Sequence, residues 1–213
     1  VPKTGYTYTD AYGTKLGILT VQQMNYLQNR NLSTSNVKNF GNYFLVEDDI
    51  LVSKAAIAAD TETAPYGIVN NSYDQNINIL LQQAFWQNFA WYNGSYSAFI
   101  QLNEIPGSNI KLHMISSSYN PGERADIVID GDNGQLPSNI PFAAEYPSNG
   151  RPGRIILINT DYLTDNTKTT WNLMHAIGHA IGLKHKPTSS DSFMRNGAYA
   201  TTCMENCISS GDK

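Results

Sequence analysis

Trp171-Asn-Leu-Met-His175-Ala-Ile-Gly-His179-Ala-Ile-Gly182-Leu-Lys-His185 is the stretch on which the reading of this chain turns, and it holds three of the four histidines. On a helix, His175 and His179 stand four apart, so their imidazoles lie on one face. Two such rings can grip one metal ion. Gly182 then lets the chain leave the helix, because glycine takes a left-handed turn at little cost. That turn brings His185 back as a third nitrogen. Three protein ligands with a fourth position open is the donor set of a catalytic zinc.

Outward from this stretch, Thr164-Asp-Asn-Thr supplies capping residues, which predicts a helix from about Thr167 to Leu183. Trp171, Met174, Ile177 and Ile181 mark its buried side. A second helix is predicted over Phe89–Glu104 from Trp91, Ser95, Ala98, Leu102 and Ile105, with Gly94 as its weak point and Pro106-Gly107 as its stop. Strands are expected at Asn76–Leu81, Asn109–Ile115, Ala125–Asp130, Ile140–Tyr146 and Arg154–Asn159. The window after Asn76 also fits a helical face, so alternation alone leaves it open. His113 reads as a strand histidine, packed or exposed, not as a ligand. Asp130-Gly-Asp-Asn-Gly134 has calcium-loop chemistry but lacks the full spacing, and reads as an ordinary turn.

Residues 1–60 differ from the rest. Leu16–Leu27 reads as a short helix, Asn39–Tyr43 as a turn, and Ala55–Thr63 as a small-residue linker. Tyr43–Val52 is strand-like at both ends, with Glu47-Asp48-Asp49 between them.

The full spacing His-x-x-x-His-x-x-Gly-x-x-His resembles the metzincin signature, in which a glutamate follows the first histidine. The nearest likeness is to the bacterial dual-action HEIGH metallopeptidases, relatives of the astacins. In this chain Ala176 stands at the glutamate position. Ser192-Phe-Met194 resembles the Met-turn that floors the metal, with Asn196 where astacins have a tyrosine; Tyr199 is a weak substitute. The likeness implies an α+β fold: a metzincin-like catalytic domain whose twisted mixed sheet packs on two long helices, with a zinc cleft under the edge strand. That edge would be Phe142-Ala143-Ala144-Glu145, pairing with an extended protein or peptide substrate. Ser209–Asp212 would begin a last helix that the chain does not complete.

The same likeness extends to Val46-Glu-Asp-Asp-Ile50, which resembles the aspartate-bearing segment of astacin-type precursors. It implies that residues 1–60 are a pro-segment lying in the cleft, that 61–213 are the catalytic domain, and that Asp49 fills the fourth metal position. Glu47 and Asp48 are the fallback ligands, because Asp48 replaces a glycine. The alternative for this stretch is a solvated acidic turn.

A zinc peptidase needs a carboxylate beside the metal to take a proton from water and pass it to the leaving amine. Alanine can do neither, and loss of such a group costs about 100- to 10,000-fold. The expected function is therefore a zinc endopeptidase in zymogen form, silenced at position 176. The alternative is a natural zinc-binding pseudoprotease that captures peptides. The genomic codon at position 176 separates them.

At 213 residues, with 41% hydrophobic and 15% charged residues, the chain can bury a sizeable core. A net charge of −4 without a basic cluster argues against nucleic acid or anionic membrane as partner. No apolar run reaches the length of a membrane span. Thirteen tyrosines, few charges and the pair Cys203/Cys207 suit a secreted bacterial monomer. The cysteines read as a small disulfide or as free thiols.

Overall fold

The computed structural model describes residues 5–9, 15–60, 76–82, 87–115, 124–162, 165–187, 191–197, 207–209 and 212. Among the described residues there are ten strands: β1 Gly5–Thr9, β2 Lys15–Thr20, β3 Lys38–Phe40, β4 Tyr43–Val46, β5 Ile50–Ser53, β6 Ile77–Leu81, β7 Leu112–Ile115, β8 Ile127–Gly131, β9 Phe142–Glu145 and β10 Ile155–Ile158. The helices are α1 Val21–Asn29, α2 Lys54–Ala58, α3 Phe89–Asn103 and α4 Asn166–Ala180. Strands β1 and β2 form a two-stranded antiparallel sheet of their own. The other eight form one sheet in the order β3-β4-β5-β9-β10-β8-β6-β7. It is mixed: β10, β8, β6 and β7 run parallel, and β9 runs against β10. The fold is α+β, with the two long helices α3 and α4 against one face of this sheet.

Alternation explains the layering. Ile77, Ile79, Leu81, Ile127, Ile129, Phe142, Ala144, Ile156 and Ile158 turn toward α3 and α4 and form the main core with Trp91, Phe99, Leu102, Trp171, Leu173 and Ile177. The intervening Ala143 and Leu157 join Leu45, Leu51, Leu136 and Ile140 on the other face. Gly94, expected to weaken α3, is where the two helices cross most closely. A Cβ there would come within 2.6 Å of Thr169 Cβ.

The N-terminal region has its own core. Leu19, Tyr26, Leu27, Leu32, Val37, Phe44, Val46, Ile50, Val52 and Ile57 pack together, joined by Tyr146 from just past β9. Arg30 is fully buried here, its guanidinium 3.6 Å from the Tyr26 ring centroid and paired with Asp60 at 3.2 Å.

Two expectations change. Leu16–Leu27 is not one helix: β2 runs to Thr20, whose side chain caps α1 by accepting the Gln23 N–H, while Gln23 reaches back to the Thr20 N–H. Ala55–Thr63 is not a linker as far as it is described, because Ser53 caps the short helix α2 and Ile57 is buried. The edge expected at β9 is already paired: β5 lies along it in parallel, Ile50 opposite Ala144 and Leu51 opposite Glu145, on the strand where the precursor likeness placed the N-terminal segment. Elsewhere the predicted elements are present with trimmed ends. Asp130–Gly134 is a turn in which Asp132 accepts the Leu136 N–H, and His113 is an exposed residue of β7. Tyr199 and Cys203 lie outside the described residues; Cys207, buried in the main core, is disulfide-bonded. Among the described residues no helix is long and apolar enough to cross a membrane.

Candidate metal centre

The helix α4 starts at Asp165, whose carboxylate accepts the Lys168 N–H and the Thr167 hydroxyl. It ends three residues before the predicted point. Gly182 sits at φ +102°, and the Leu183 N–H closes back on the Gly178 carbonyl. This turn is what redirects the chain so that His185 faces the helix again. His175 and His179 are both buried, four apart on α4 as the spacing required.

Each of the three rings is held by its outer nitrogen. His175 Nδ1 lies 2.7 Å from the Phe193 carbonyl, and His179 Nδ1 lies 2.9 Å from the Leu183 carbonyl. His185 Nδ1 lies 2.8 Å from Glu47 Oε2. Carbonyl and carboxylate oxygens only accept, so each Nδ1 carries a proton and each Nε2 is turned inward. The Nε2 atoms converge: His185 is 3.1 Å from His175 and 3.2 Å from His179.

Asp49 completes the cluster from the far side. Its Oδ2 lies 3.1 Å from His185 Nε2 and 3.4 Å from His175 Nε2, and its Oδ1 lies 3.6 Å from His179 Nε2. All four donor atoms fall within 4.8 Å of one another, and the group could hold one metal ion. The spacing fits the donor set. Ligands about 2.0–2.1 Å from a tetrahedral centre stand about 3.3 Å apart. With their Nε2 protons gone, three imidazoles and a buried carboxylate would repel one another unless a cation sat between them.

The hairpin β4–β5 delivers Asp49. Val46 and Ile50 pair across it, leaving Glu47, Asp48 and Asp49 as its tip. Glu47 and Asp48 adopt left-handed backbone, φ +55° and +72°. Asp48 thus takes a conformation that glycine takes freely, and it turns outward to Lys38 Nζ at 2.7 Å. Neither fallback ligand joins the cluster: Asp48 faces the other way, and Glu47 reaches the outer nitrogen of His185 instead of the centre. The side chains of Glu47 and Asp49 both reach the His185 ring, from either end of the left-handed tip.

The protonation pattern of the metal-free cluster follows from its burial. Burial works against charge on Asp49, but the charge of His179 and hydrogen bonds from all three histidines hold its carboxyl well below the usual range. Burial lowers His175 to about 4 despite the Asp49 hydrogen bond. Burial also opposes charge on His185, yet hydrogen bonds to Asp49 and Glu47 raise it to about 9.

Met194 lies beneath this group, 2% exposed. Its sulfur fills the space over Gly178, where a Cβ would overlap it. Ser192 Oγ accepts the Met194 N–H, and Lys186 N–H donates to the Met194 carbonyl at 2.8 Å, tying this turn to the His185 segment. Asp212 binds Ser192 Oγ and accepts the Phe193 and Ser209 N–H groups, so the predicted helix-start residue also clamps the turn. Ala176 is fully buried between the two helical histidines and donates nothing. Asn196 is exposed.

The four residues expected to receive substrate are all buried in β9. Phe142 packs on His175, ring centroids 5.4 Å apart. The Ala144 N–H donates to the Asp49 carbonyl and the Tyr146 N–H to the Leu51 carbonyl, both at 2.8 Å. The N-terminal segment therefore holds the backbone groups of this strand that face away from β10. A cavity of about 480 Å³ opens beside the cluster, lined by His185, Lys186, Phe193, Met194 and Asp212 among others. Sequence reasoning missed the outer partners of the rings. Two of them are main-chain carbonyls, which carry no residue signal.

Residues 68–205 match the model of the dual-action HEIGH metallo-peptidases, a span that contains all three histidines and excludes Asp49. Among solved structures, archaemetzincin from Methanopyrus kandleri is similar at 14% identity and a TM-score of 0.40, over 66% of this chain and 94% of that one. Myroilysin is similar at 16% identity and a TM-score of 0.33, over 70% of this chain and 55% of that one. No curated protein matches the chain. The family match spans well over half the chain and includes the histidine motif on which the site is built, and this chain belongs to the dual-action HEIGH metallopeptidase family.

Proposed function

We propose that this is the latent form of a secreted, metzincin-type zinc endopeptidase, silenced at position 176, with residues 1–60 as its pro-segment. The observation that carries the reading is the convergence of three Nε2 atoms and the Asp49 carboxylate on one point. His175, His179 and His185 would hold the metal, and Asp49 would take the position that the reaction needs open. A bound zinc would supply Lewis-acid polarisation of the scissile carbonyl and a more acidic water.

The chain's own residues do the rest of the work. Met194 and Phe193 floor and orient His175. Strand β9 would bind an extended peptide by main-chain hydrogen bonds. In the latent form β5 occupies that side of β9 and the cleft is filled. The missing function is proton transfer. A carboxylate at position 176 would stand one residue after a ligand, beside the metal, and Ala176 leaves that place empty of any base.

The test is Ala176→Glu in the full chain, followed by a cut after about residue 60 to release the segment. Chelator-sensitive cleavage of extended peptides or unfolded protein is expected from the cut variant, and none from the uncut one. A folded, zinc-loaded, cut Ala176→Glu protein that turns over no peptide in a broad library would favour a peptide-capturing pseudoprotease.

A further inference from the structure

Of the three ring anchors, two belong to the family region itself. His175 and His179 are held by the carbonyls of Phe193 and Leu183, both within residues 68–205. The third anchor does not. Among the described residues, His185 Nδ1 is held by Glu47, 138 positions earlier in the chain. We propose that Glu47 is a positioning residue for the third metal ligand. Through its bond to His185 Nδ1, the N-terminal hairpin builds the outer surroundings of the metal as well as offering Asp49 to its inner ones. This rests on the metal reading above and extends it.

His185 is the ligand most in need of an anchor. The other two sit on a regular helix, whereas His185 lies three residues past a left-handed glycine, in a segment without helical hydrogen bonds. A ring there can rotate unless its outer nitrogen is fixed. A carboxylate fixes it and also makes the inner nitrogen a better donor, which a neutral carbonyl does less well. Glu47 is itself positioned for the task. Its Oε1 accepts the Ser33 N–H at 2.7 Å, leaving Oε2 for the histidine. Across the left-handed turn at Glu47 and Asp48, the side chains of Glu47 and Asp49 both reach the His185 ring. An inner-ligand role for Glu47 does not fit, because the nitrogen it meets is the one turned away from the cluster. Metal affinity is thereby tied to the seating of the hairpin through two carboxylates instead of one.

The experiment measures zinc dissociation constants of the full chain by competition with a chromophoric chelator. Glu47→Ala is expected to weaken zinc binding about 10- to 100-fold, the usual worth of an outer-sphere partner. Glu47→Gln keeps the hydrogen bond without the charge and is expected to fall between parent and Glu47→Ala. Asp48→Asn, on the adjacent outward-facing residue, is expected to bind within about threefold of parent. The cobalt-substituted Glu47→Ala protein should show an altered visible spectrum, which a purely structural role for Glu47 would not produce. Parent-like zinc affinity and cobalt spectrum in both Glu47 variants, with binding lost in His185→Ala, would overturn the positioning role and leave the metal site intact. Parent-like binding in His185→Ala would instead overturn the metal reading itself. Should Glu47→Ala fail to fold, Glu47→Gln decides alone: unchanged affinity and spectrum count against the proposal.

Discussion

The metal cluster is built from two regions that hold their ligands in different ways. The helical pair of histidines is held within its own region. His175 and His179 ride on a helix whose face is set by the core, and the Phe193 and Leu183 carbonyls fix their rings. The hairpin region is borrowed. Its tip carries two non-glycine residues in left-handed backbone, and it joins the rest of the molecule through the short pairing of β5 with β9 and the packing of Leu45 and Leu51. A helix ligand can leave only if the fold unfolds. A hairpin ligand can leave if one strand pairing lets go. The proposed latency rests on that contrast: lasting ligands on the helix and its turn, a displaceable one on the hairpin.

Breaking the contrast most severely means restoring the chemistry. Ala176→Glu, once cut after about residue 60, should exceed the cut parent by about 100- to 10,000-fold in peptide hydrolysis, measured with a quenched fluorescent peptide library. Equal rates would show that position 176 is not where the proton is handled. Next in size is loss of the borrowed ligand. Asp49→Ala should lower zinc affinity of the intact chain by no less than the ~10- to 100-fold typical of an outer-sphere partner, yet leave about one equivalent bound at excess metal. A chain that no longer retains any zinc without Asp49 would mean that the histidines alone are not the permanent set.

Acidity sharpens the same contrast. In the metal-free chain His185 is raised to about 9, so its proton stabilises the fold below about pH 6.5 and that contribution is lost as pH rises through 9. Zinc must displace that proton. Affinity should therefore rise with pH, by up to about tenfold per unit, and level off above about 9. Calorimetry in buffers of different ionisation enthalpy should count about one proton released near neutral pH. Asp49 works in the opposite sense: its contribution is present above its ordinary pKa and fades as acid protonates it. Affinity that falls between pH 7 and 9 would contradict the assigned protonation.

The smallest effect lies at Asp48. Glycine there would relieve a left-handed residue, worth about 1–2 kcal/mol, and give up a partly exposed ion pair with Lys38 worth about 0–1 kcal/mol. Asp48→Gly should raise the denaturation free energy of the intact chain by up to about 1 kcal/mol. A clear loss of stability would show that the hairpin tip is not strained at this residue.

Much of this was legible in residue order, because the features involved are periodic or local. The four-residue histidine step, the glycine that ends the helix and the alternating strands each follow from helix, turn or strand geometry, and the turn at Met194 was legible through its likeness to the Met-turn. Asp49 could be singled out by its likeness to a precursor segment. What could not be read is set by tertiary pairing. Leu16–Leu27 shows apolar residues at helical spacing, yet Thr20 caps a helix in its middle and the first half pairs with β1. The precursor likeness placed the N-terminal segment along Phe142–Glu145, but the parallel register of β5 on β9 is set by contacts between residues about ninety apart. The partner of His185 Nδ1 is more distant still, 138 positions earlier.

The central claim is that one metal is held by His175, His179 and His185 with Asp49 as the displaceable fourth partner. Zinc content by elemental analysis after exhaustive dialysis, on the intact chain and on His179→Ala, tests it most directly. The account predicts about one equivalent in the parent and a trace in the variant, with both proteins folded. Full stoichiometry in a folded His179→Ala chain would contradict it.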